Sequence, residues 1–171
     1  MILSNEDIKK HIKTGKIKVE PLSADQIGPA SIDLALDDTF YRIKPEYQNK
    51  EISLDRPNLM EVLEEFRSKE VKIKPGELIL GRTKEKITLA SDVCAMLEGR
   101  TRFARVGLAI HVTSRFINPG VNNRQILEIV NLSQSILVLK EGMRICQVIF
   151  HKLMSATSKP YDKFGIFAVN Q

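Results

Sequence analysis

Short runs of β-branched and other apolar residues, each closed by a turn signal, fill the sequence from Val71 to Phe150. Pro-Gly, Glu-Gly and polar turns separate these runs, and such residues favour turns over continued strands. Strands at this close spacing predict a sandwich or a barrel. The predicted strands are VKI, ELILG, KITLA, VCAMLEG, GLAIHVT, QILEIVNL, SILVLK and RICQVIF.

Two of the runs, VCAML and ILVL, lack the alternation of apolar and polar residues that a half-exposed strand shows. We therefore expect them to be buried on both faces. In a chain of 171 residues, such burial is typical of a tight barrel or of an interface between copies of the chain.

Two short helices are predicted besides the strands. Ser4 is placed to cap the first, with Asp7 as the reciprocal partner and Gly15 as the stop. The second is predicted to begin at Asn58, because apolar residues at helical spacing follow it, and to end near Ser68.

Length and composition favour one folded domain over residues 1–171. Hydrophobic residues make up 43% and charged residues 27%, which is typical of globular proteins. No apolar run is long enough for a membrane helix, and the first residues lack the order of a signal peptide, so a soluble, cytoplasmic protein is expected. The net charge of +5 permits nucleic acid, a phosphorylated small molecule, or solubility alone.

Zinc chemistry finds little support in the sequence. Cys94 and Cys146 are far apart in apolar runs and are expected to be free core thiols. None of the three histidines is followed two residues later by Glu, so the H-x-E signature of zinc deaminases is absent. We expect any metal to be Mg²⁺ held on phosphates. His111, in an apolar strand, is either a core histidine or a proton shuttle.

The densest polar cluster is Gly99-Arg100-Thr101-Arg102-Phe103-Ala104-Arg105. Three arginines and a hydroxyl that follow a strand are suited to binding phosphate oxygens at several points. The same residues also suit a solvated basic turn, and composition does not separate the two interpretations.

A second polar cluster runs from Thr113 to Gly120 and contains the turn signal Asn-Pro-Gly. Shortly after it, Glu128 is a single acid in the apolar strand QILEI. A partly desolvated carboxylate at this position suits a general acid or base. An outward-facing residue at a sheet edge would show the same pattern, and alternation alone does not decide.

At these residues the sequence resembles the dCTP deaminase branch of the dUTPase-like superfamily. The resemblance is carried by ordered blocks, among them ASIDLAL, KPGELILGRTKEKITL, GRTRFARVGLAIHVT, INPG, ILEIVN and EGMRICQVIF. It implies a distorted β-barrel or jelly roll, the β-clip, assembled as a homotrimer with active sites between subunits. It also implies triphosphates bound with Mg²⁺, and deamination without zinc.

The resemblance assigns roles to individual residues. Glu128 matches the glutamate that shuttles protons as water adds to cytosine C4 and ammonia leaves. Thr101 stands where the family has a serine that orders this water, and Arg105 supports the catalytic centre. The residues expected to bind the nucleotide are Arg100, Thr101, Arg102, Phe103, Ala104, Arg105, Ser114, Asn118, Ile126, Leu127, Glu128, Tyr161 and Lys163.

Several positions depart from the family pattern. Arg102 replaces a common serine, Asn118 replaces the usual Asp, and Asn123 stands near a common Gly. In the relatives that also hydrolyse dUTP, the acid at the place of Asn118 activates the water that attacks phosphorus, and an amide cannot act as that base. After Tyr161, the tail matches the family pattern only at Lys163.

The function predicted first is therefore deamination of dCTP to dUTP and ammonia. A bifunctional enzyme that also forms dUMP, or a plain dUTP diphosphatase, is the nearest alternative. A catalytically silent relative that binds nucleotide is another, motivated by the departures. Nucleic acid is disfavoured as a partner, since aromatic residues make up only 6% of the chain and no stacking stripe accompanies the basic cluster.

Overall fold

A computed structural model of the chain describes residues 1–55, 58–163 and 165. It is mainly β, as predicted, with two α-helices and four 3₁₀ turns in the described residues. The helices are α1 (Asn5–Lys13) and α2 (Thr101–Ala104), and the strands are β1 (Ile17–Glu20), β2 (Ile32–Ile43), β3 (Leu63–Arg67), β4 (Glu70–Ile73), β5 (Leu78–Leu89), β6 (Val93–Gly99), β7 (Leu108–Ile110), β8 (Phe116–Ile117), β9 (Asn122–Asn131), β10 (Leu137–Lys140) and β11 (Arg144–Lys152).

Nine of the strands form one curled antiparallel sheet around a single apolar core. The strand order is β7-β9-β5-β2-β11-β6-β8, with β1 paired to β5 and β3 paired to β2, while β4 and β10 form a separate pair. The twelve-residue strand β5 alternates along its length, which sends every second side chain into the core. The opposite face of β5 and β9 is consequently left free to carry polar side chains.

The first helix begins and ends as the sequence predicts. The Ser4 hydroxyl accepts a hydrogen bond from the Asp7 backbone N–H at 3.2 Å, and the Asp7 carboxylate accepts one from the Ser4 backbone. This capping box satisfies two N–H groups that the first turn would otherwise leave unpaired. The helix stops at Lys13, and Gly15 follows with a φ of +73° that favours glycine.

The second predicted helix, from Asn58 to Ser68, is wrong. A 3₁₀ turn covers Leu59–Val62, and the residues after it form strand β3, which pairs with β2. Phe66 stacks on Phe40 of that strand, with ring centroids 5.9 Å apart. The helical preference that the apolar spacing indicates is outweighed here, because cross-strand hydrogen bonds and ring packing stabilise the extended conformation.

Burial on both faces is confirmed for VCAML but not for ILVL. In β6, consecutive residues from Val93 to Ala95 are buried. In contrast, Ile136 and Val138 are 58% and 41% exposed, since only the side of this strand that carries Leu137 and Leu139 packs against the core. Both cysteines are buried and free, as expected. Among the described residues, no helix is long and apolar enough to span a membrane.

Candidate active site

A cleft of about 650 Å³ opens beside strands β2, β5 and β9 of the large sheet. Its floor is a row of side chains from three neighbouring strands, because Tyr41 pairs with Leu80 and Leu80 pairs with Glu128. The walls come from the segment after β7 and from the turn before β9. The lining residues are Tyr41, Met60, Leu80, His111, Ser114, Phe116, Ile117, Asn118, Val121, Asn123, Gln125, Ile126, Glu128 and Tyr161.

Glu128 points into this cleft. Its neighbours in β9, Leu127 and Ile129, are fully buried, so alternation turns the carboxylate to the outward face, where 27% of the side chain is exposed. The hydroxyl of Thr113 donates a hydrogen bond of 2.8 Å to Oε2. The acid is therefore held by a neighbouring hydroxyl and remains open to a ligand.

His111 lies against Glu128. Its backbone N–H donates to the Glu128 carbonyl at 2.7 Å, and its Nδ1 lies 3.5 Å from Oε2. The histidine is only 8% exposed, and burial lowers the pKa of its imidazole although the nearby carboxylate opposes this shift. A φ of +50° turns the chain away from β7 at this point. His111 is thus both buried and part of the cleft wall.

The backbone of Ile126 faces the cleft. The backbone N–H of Gln125 donates to the Thr83 hydroxyl on the β5 side, whereas the backbone carbonyl of Glu128 accepts from the His111 N–H on the other side. Because the hydrogen-bonding direction alternates along a strand, the N–H and C=O of Ile126 point the same way as those of Glu128, beyond the end of β7. Leu127 instead pairs with Gly81, and its side chain is in the core.

Side-chain amides and a hydroxyl also line the cleft. Asn118 and Ser114 are among its lining residues, and the Gln125 amide donates to the Asn123 oxygen at 2.5 Å. These groups can donate and accept hydrogen bonds but carry no charge. They are therefore suited to neutral polar ligand groups such as sugar hydroxyls.

The C-terminal segment rests on the Asn-Pro-Gly turn of the same chain. The Tyr161 N–H donates to the Pro119 carbonyl at 2.8 Å, and the Tyr161 ring lines the cleft. Gly120 has a φ of +83°, and a Cβ there would lie 2.7 Å from Pro160 Cβ. Only glycine leaves room for this contact. Lys163 is exposed beyond it, and most of the later tail lies outside the described residues.

We predict that Gly120→Ala releases this segment, because the new methyl group would overlap Pro160 at a backbone conformation that alanine already disfavours. Chymotrypsin should cleave after Tyr161 roughly tenfold faster, since the open form gains population. Gly142→Ala is the matched control, with a φ of +79° and nothing within 4 Å. Equal cleavage rates in the two variants would contradict the proposed contact.

The predicted arginine cluster forms a second pocket, of about 440 Å³. Arg100 donates to the Arg144 carbonyl at 3.0 Å and lies 3.2 Å from the Asp33 carboxylate. Arg102 is exposed and covers the ring of Phe103 at 5.0 Å. The pocket is lined by Arg100, Arg102, Phe103, Met143 and Arg144, while Thr101, Ala104 and Arg105 are exposed around it.

The two pockets share no lining residue. The structure therefore brings Glu128, Ser114, Asn118, Ile126 and Tyr161 together, and gathers the arginine cluster elsewhere. Within one chain, the carboxylate and the arginines do not form a single site.

Four side chains at the arginine cluster were not predicted as site residues, namely Asp25, Asp33, Met143 and Arg144. Asp25 binds Arg144, with its Oδ2 2.5 Å from Nη2, and Asp33 pairs with Arg100. Asp25 and Arg144 are 119 positions apart, so local patterns do not reveal this contact. Asp33 did carry a signal, since it is a single acid in the apolar run SIDLAL, as Glu128 is in QILEI.

Comparison with known proteins identifies relatives that span almost the whole chain. A family model described as dCTP deaminase-like matches residues 2–153. A "dCTP deaminase, dUMP-forming" from Dictyoglomus thermophilum is 38% identical over 167 residues, covering 95% of this chain and 86% of the relative. A "dCTP deaminase" from Rhodospirillum rubrum is 37% identical over 171 residues, covering 94% and 87%.

Solved structures agree in fold. A 2'-deoxycytidine 5'-triphosphate deaminase from Agrobacterium tumefaciens superposes with a TM-score of 0.69 at 24% identity, covering 88% of this chain and 48% of its own, so this chain spans about half of that one. A mutant dUTPase from phage phi11 of Staphylococcus aureus gives 0.52 at 13% identity, covering 87% and 98%. With the sequence matches, the resemblance seen in the motifs is confirmed, and the chain belongs to the dCTP deaminase-like family.

Proposed function

We propose that the protein deaminates dCTP hydrolytically without zinc. The observation that carries this proposal is the Glu128 carboxylate, which faces a cleft of nucleotide-binding size, is held by Thr113, and lies two residues from the open backbone of Ile126. A carboxylate so placed is suited to moving protons between water and a ring nitrogen. The names of the Dictyoglomus and Rhodospirillum relatives support the same activity.

The proposed reaction uses one acid and one water. Water adds to C4 of the cytosine ring, and Glu128 accepts a proton from it. Glu128 passes this proton to N3, then accepts a second proton from the hydroxyl group now on C4 and passes it to the amino group, which leaves as ammonia, so that dCTP and water yield dUTP and ammonia. The Ile126 N–H and C=O pair with the edge of the base, and Thr113 keeps the carboxylate in one orientation.

The triphosphate is proposed to bind the arginine cluster of a second copy of the chain. This follows from the separation of the two pockets, because a nucleotide at Glu128 needs cations that its own chain places elsewhere. A closed ring of three copies would complete three such sites, in line with the predicted homotrimer. Mg²⁺ bound to the triphosphate would neutralise part of its charge.

Asn118 determines which product we propose. Hydrolysis at phosphorus needs a base for the attacking water, and a carboxamide has no basic lone pair near neutral pH. We therefore propose that the reaction stops at dUTP. The second candidate is a bifunctional enzyme, which the dUMP-forming name of the Dictyoglomus relative favours.

We predict that wild type, given dCTP and Mg²⁺, forms dUMP roughly a hundredfold more slowly than dUTP. This factor is at the low end of the rate enhancement that a general base usually contributes. Asn118→Asp should raise diphosphate release while deamination persists, because the proton transfers of deamination pass through Glu128. Asn122→Asp is the control, since its carboxylate still accepts from the Thr88 hydroxyl. Chromatography that separates dCTP, dUTP and dUMP measures both reactions in wild type and in the two variants.

Each outcome separates the candidates. Comparable rates of dUMP and dUTP formation by wild type would establish the bifunctional enzyme. An absence of both products would favour the catalytically silent relative.

A further inference from the structure

A buried carboxylate lies in the middle of β5, outside both pockets. Glu85 is 2% exposed, and burial raises the pKa of its carboxyl. Its position is inward because it follows the alternation that buries Thr83 and Ile87. A buried acid requires partners for its oxygens, since an unpaired polar group in a protein core is costly.

The partners of Glu85 are two N–H donors from different elements. The Gln26 side-chain amide donates to Oε1 at 2.8 Å, and the Ala35 backbone N–H donates to Oε2 at 2.9 Å. The same Gln26 amide donates to the Asp33 carbonyl at 2.9 Å. Glu85 thereby ties the Ala24–Gln26 turn to the start of β2.

Both tied elements carry a carboxylate of the arginine cluster. Asp25, in the turn, binds Arg144 twice, through its carbonyl at 3.0 Å and its carboxylate at 2.5 Å. Asp33, in β2, binds Arg100 at 3.2 Å, and Arg100 in turn donates to the Arg144 carbonyl. Hydrogen bonds and ion pairs, joined through the chain at Asp25–Gln26 and through Asp33 itself, thus connect the core acid to the two arginines.

We propose that Glu85 is a positioning residue for the arginine cluster. It fixes the turn and the strand whose carboxylates orient the guanidinium groups of Arg144 and Arg100. The inference rests on the proposed function, in which this cluster binds the triphosphate. It concerns binding of the substrate rather than the proton transfers at Glu128.

The contact geometry requires a carboxylate at position 85. Both Glu85 oxygens accept, whereas a carboxamide has one oxygen and one NH₂ group. In Glu85→Gln, either Gln26 or Ala35 would therefore face a donor in place of an acceptor. One buried N–H loses its partner, and the turn or the strand must shift to relieve the contact.

The test compares Glu85→Gln with wild type in two assays. The first measures kcat and KM for dCTP, and the second measures the affinity for inorganic tripolyphosphate by calorimetry. We expect KM and the tripolyphosphate Kd to rise about tenfold, within the range that one unsatisfied buried donor produces. We expect kcat to change by less than about threefold, because Glu128 is not disturbed.

Two further variants separate positioning from stability. Gln26→Leu removes the same link from the side of the Ala24–Gln26 turn and leaves the Glu85 carboxylate in place, so it tests the proposal if Glu85→Gln does not fold. Ile73→Ala removes a fully buried side chain in the separate β4–β10 pair. It should lower Tm but leave KM and the tripolyphosphate Kd within about twofold of wild type.

A lowered Tm in Glu85→Gln and Gln26→Leu with unchanged KM and Kd would overturn the inference, since the role of Glu85 would then be structural. Failure of wild type to bind tripolyphosphate would overturn it as well. If wild type binds tripolyphosphate but does not deaminate dCTP, the proposed function fails. The role of Glu85 is then decided by comparing the tripolyphosphate Kd of wild type with that of Glu85→Gln.

Discussion

Glu128→Gln is expected to abolish ammonia release from dCTP, with kcat reduced about a thousandfold, which is within the usual contribution of a general acid or base. The amide keeps the shape of the side chain and can still accept from Thr113, but it cannot take a proton from water. Nucleotide binding should persist, because the Ile126 backbone and the arginine cluster are unchanged. An ammonia assay and calorimetry with dCTP measure the two properties.

The control is Glu70→Gln, which makes the same change at an exposed position of β4. It should deaminate dCTP at the wild-type rate. Deamination by Glu128→Gln within tenfold of wild type would refute the role proposed for the acid. Loss of binding together with activity would instead indicate that the cleft has collapsed.

Two variants that are each inactive should recover activity when their subunits are mixed. We expect this for Glu128→Gln and Arg105→Ala, because the proposed site takes its carboxylate from one chain and its arginines from another. After the two are unfolded and refolded together in equal amounts, about one quarter of the sites in a random trimer combine intact groups. Activity should therefore rise from near zero to about one quarter of wild type.

The same experiment tests the oligomer. Each variant refolded alone is the control and should remain inactive. If the chains exchange subunits but mixing restores no activity, the result would indicate that the whole site lies within one chain. A wild-type species of 19.4 kDa in sedimentation that turns over dCTP would contradict the interface directly.

Sequence reasoning worked where the physical cause is local. The capping box at Ser4 is set by residues a few positions away, and the structure has a helix there. The orientation of Glu128, which the sequence left open, is outward in the structure, and its role as acid or base stays a prediction. The prediction from Asn58 to Ser68 failed because its outcome depends on β2, a strand more than fifteen positions earlier.

The site was harder to predict than the strands. The family resemblance implied sites between subunits that use both Glu128 and the arginine block, and within one chain the fold puts these residues in separate pockets. The partner of Arg144 is in a turn near the N-terminus, and the donors to Glu85 come from two other elements. Contacts of this kind follow from topology, which a single sequence does not display.

The Asn-Pro-Gly turn also bears on the covalent ageing of the protein. Asparagine usually converts to aspartate when the backbone nitrogen of the next residue attacks its side chain, a step that requires this nitrogen to lose a proton. Proline has no backbone N–H, so Pro119 blocks that route for Asn118. The cleft therefore does not acquire a carboxylate at Asn118 by this route as a preparation is stored.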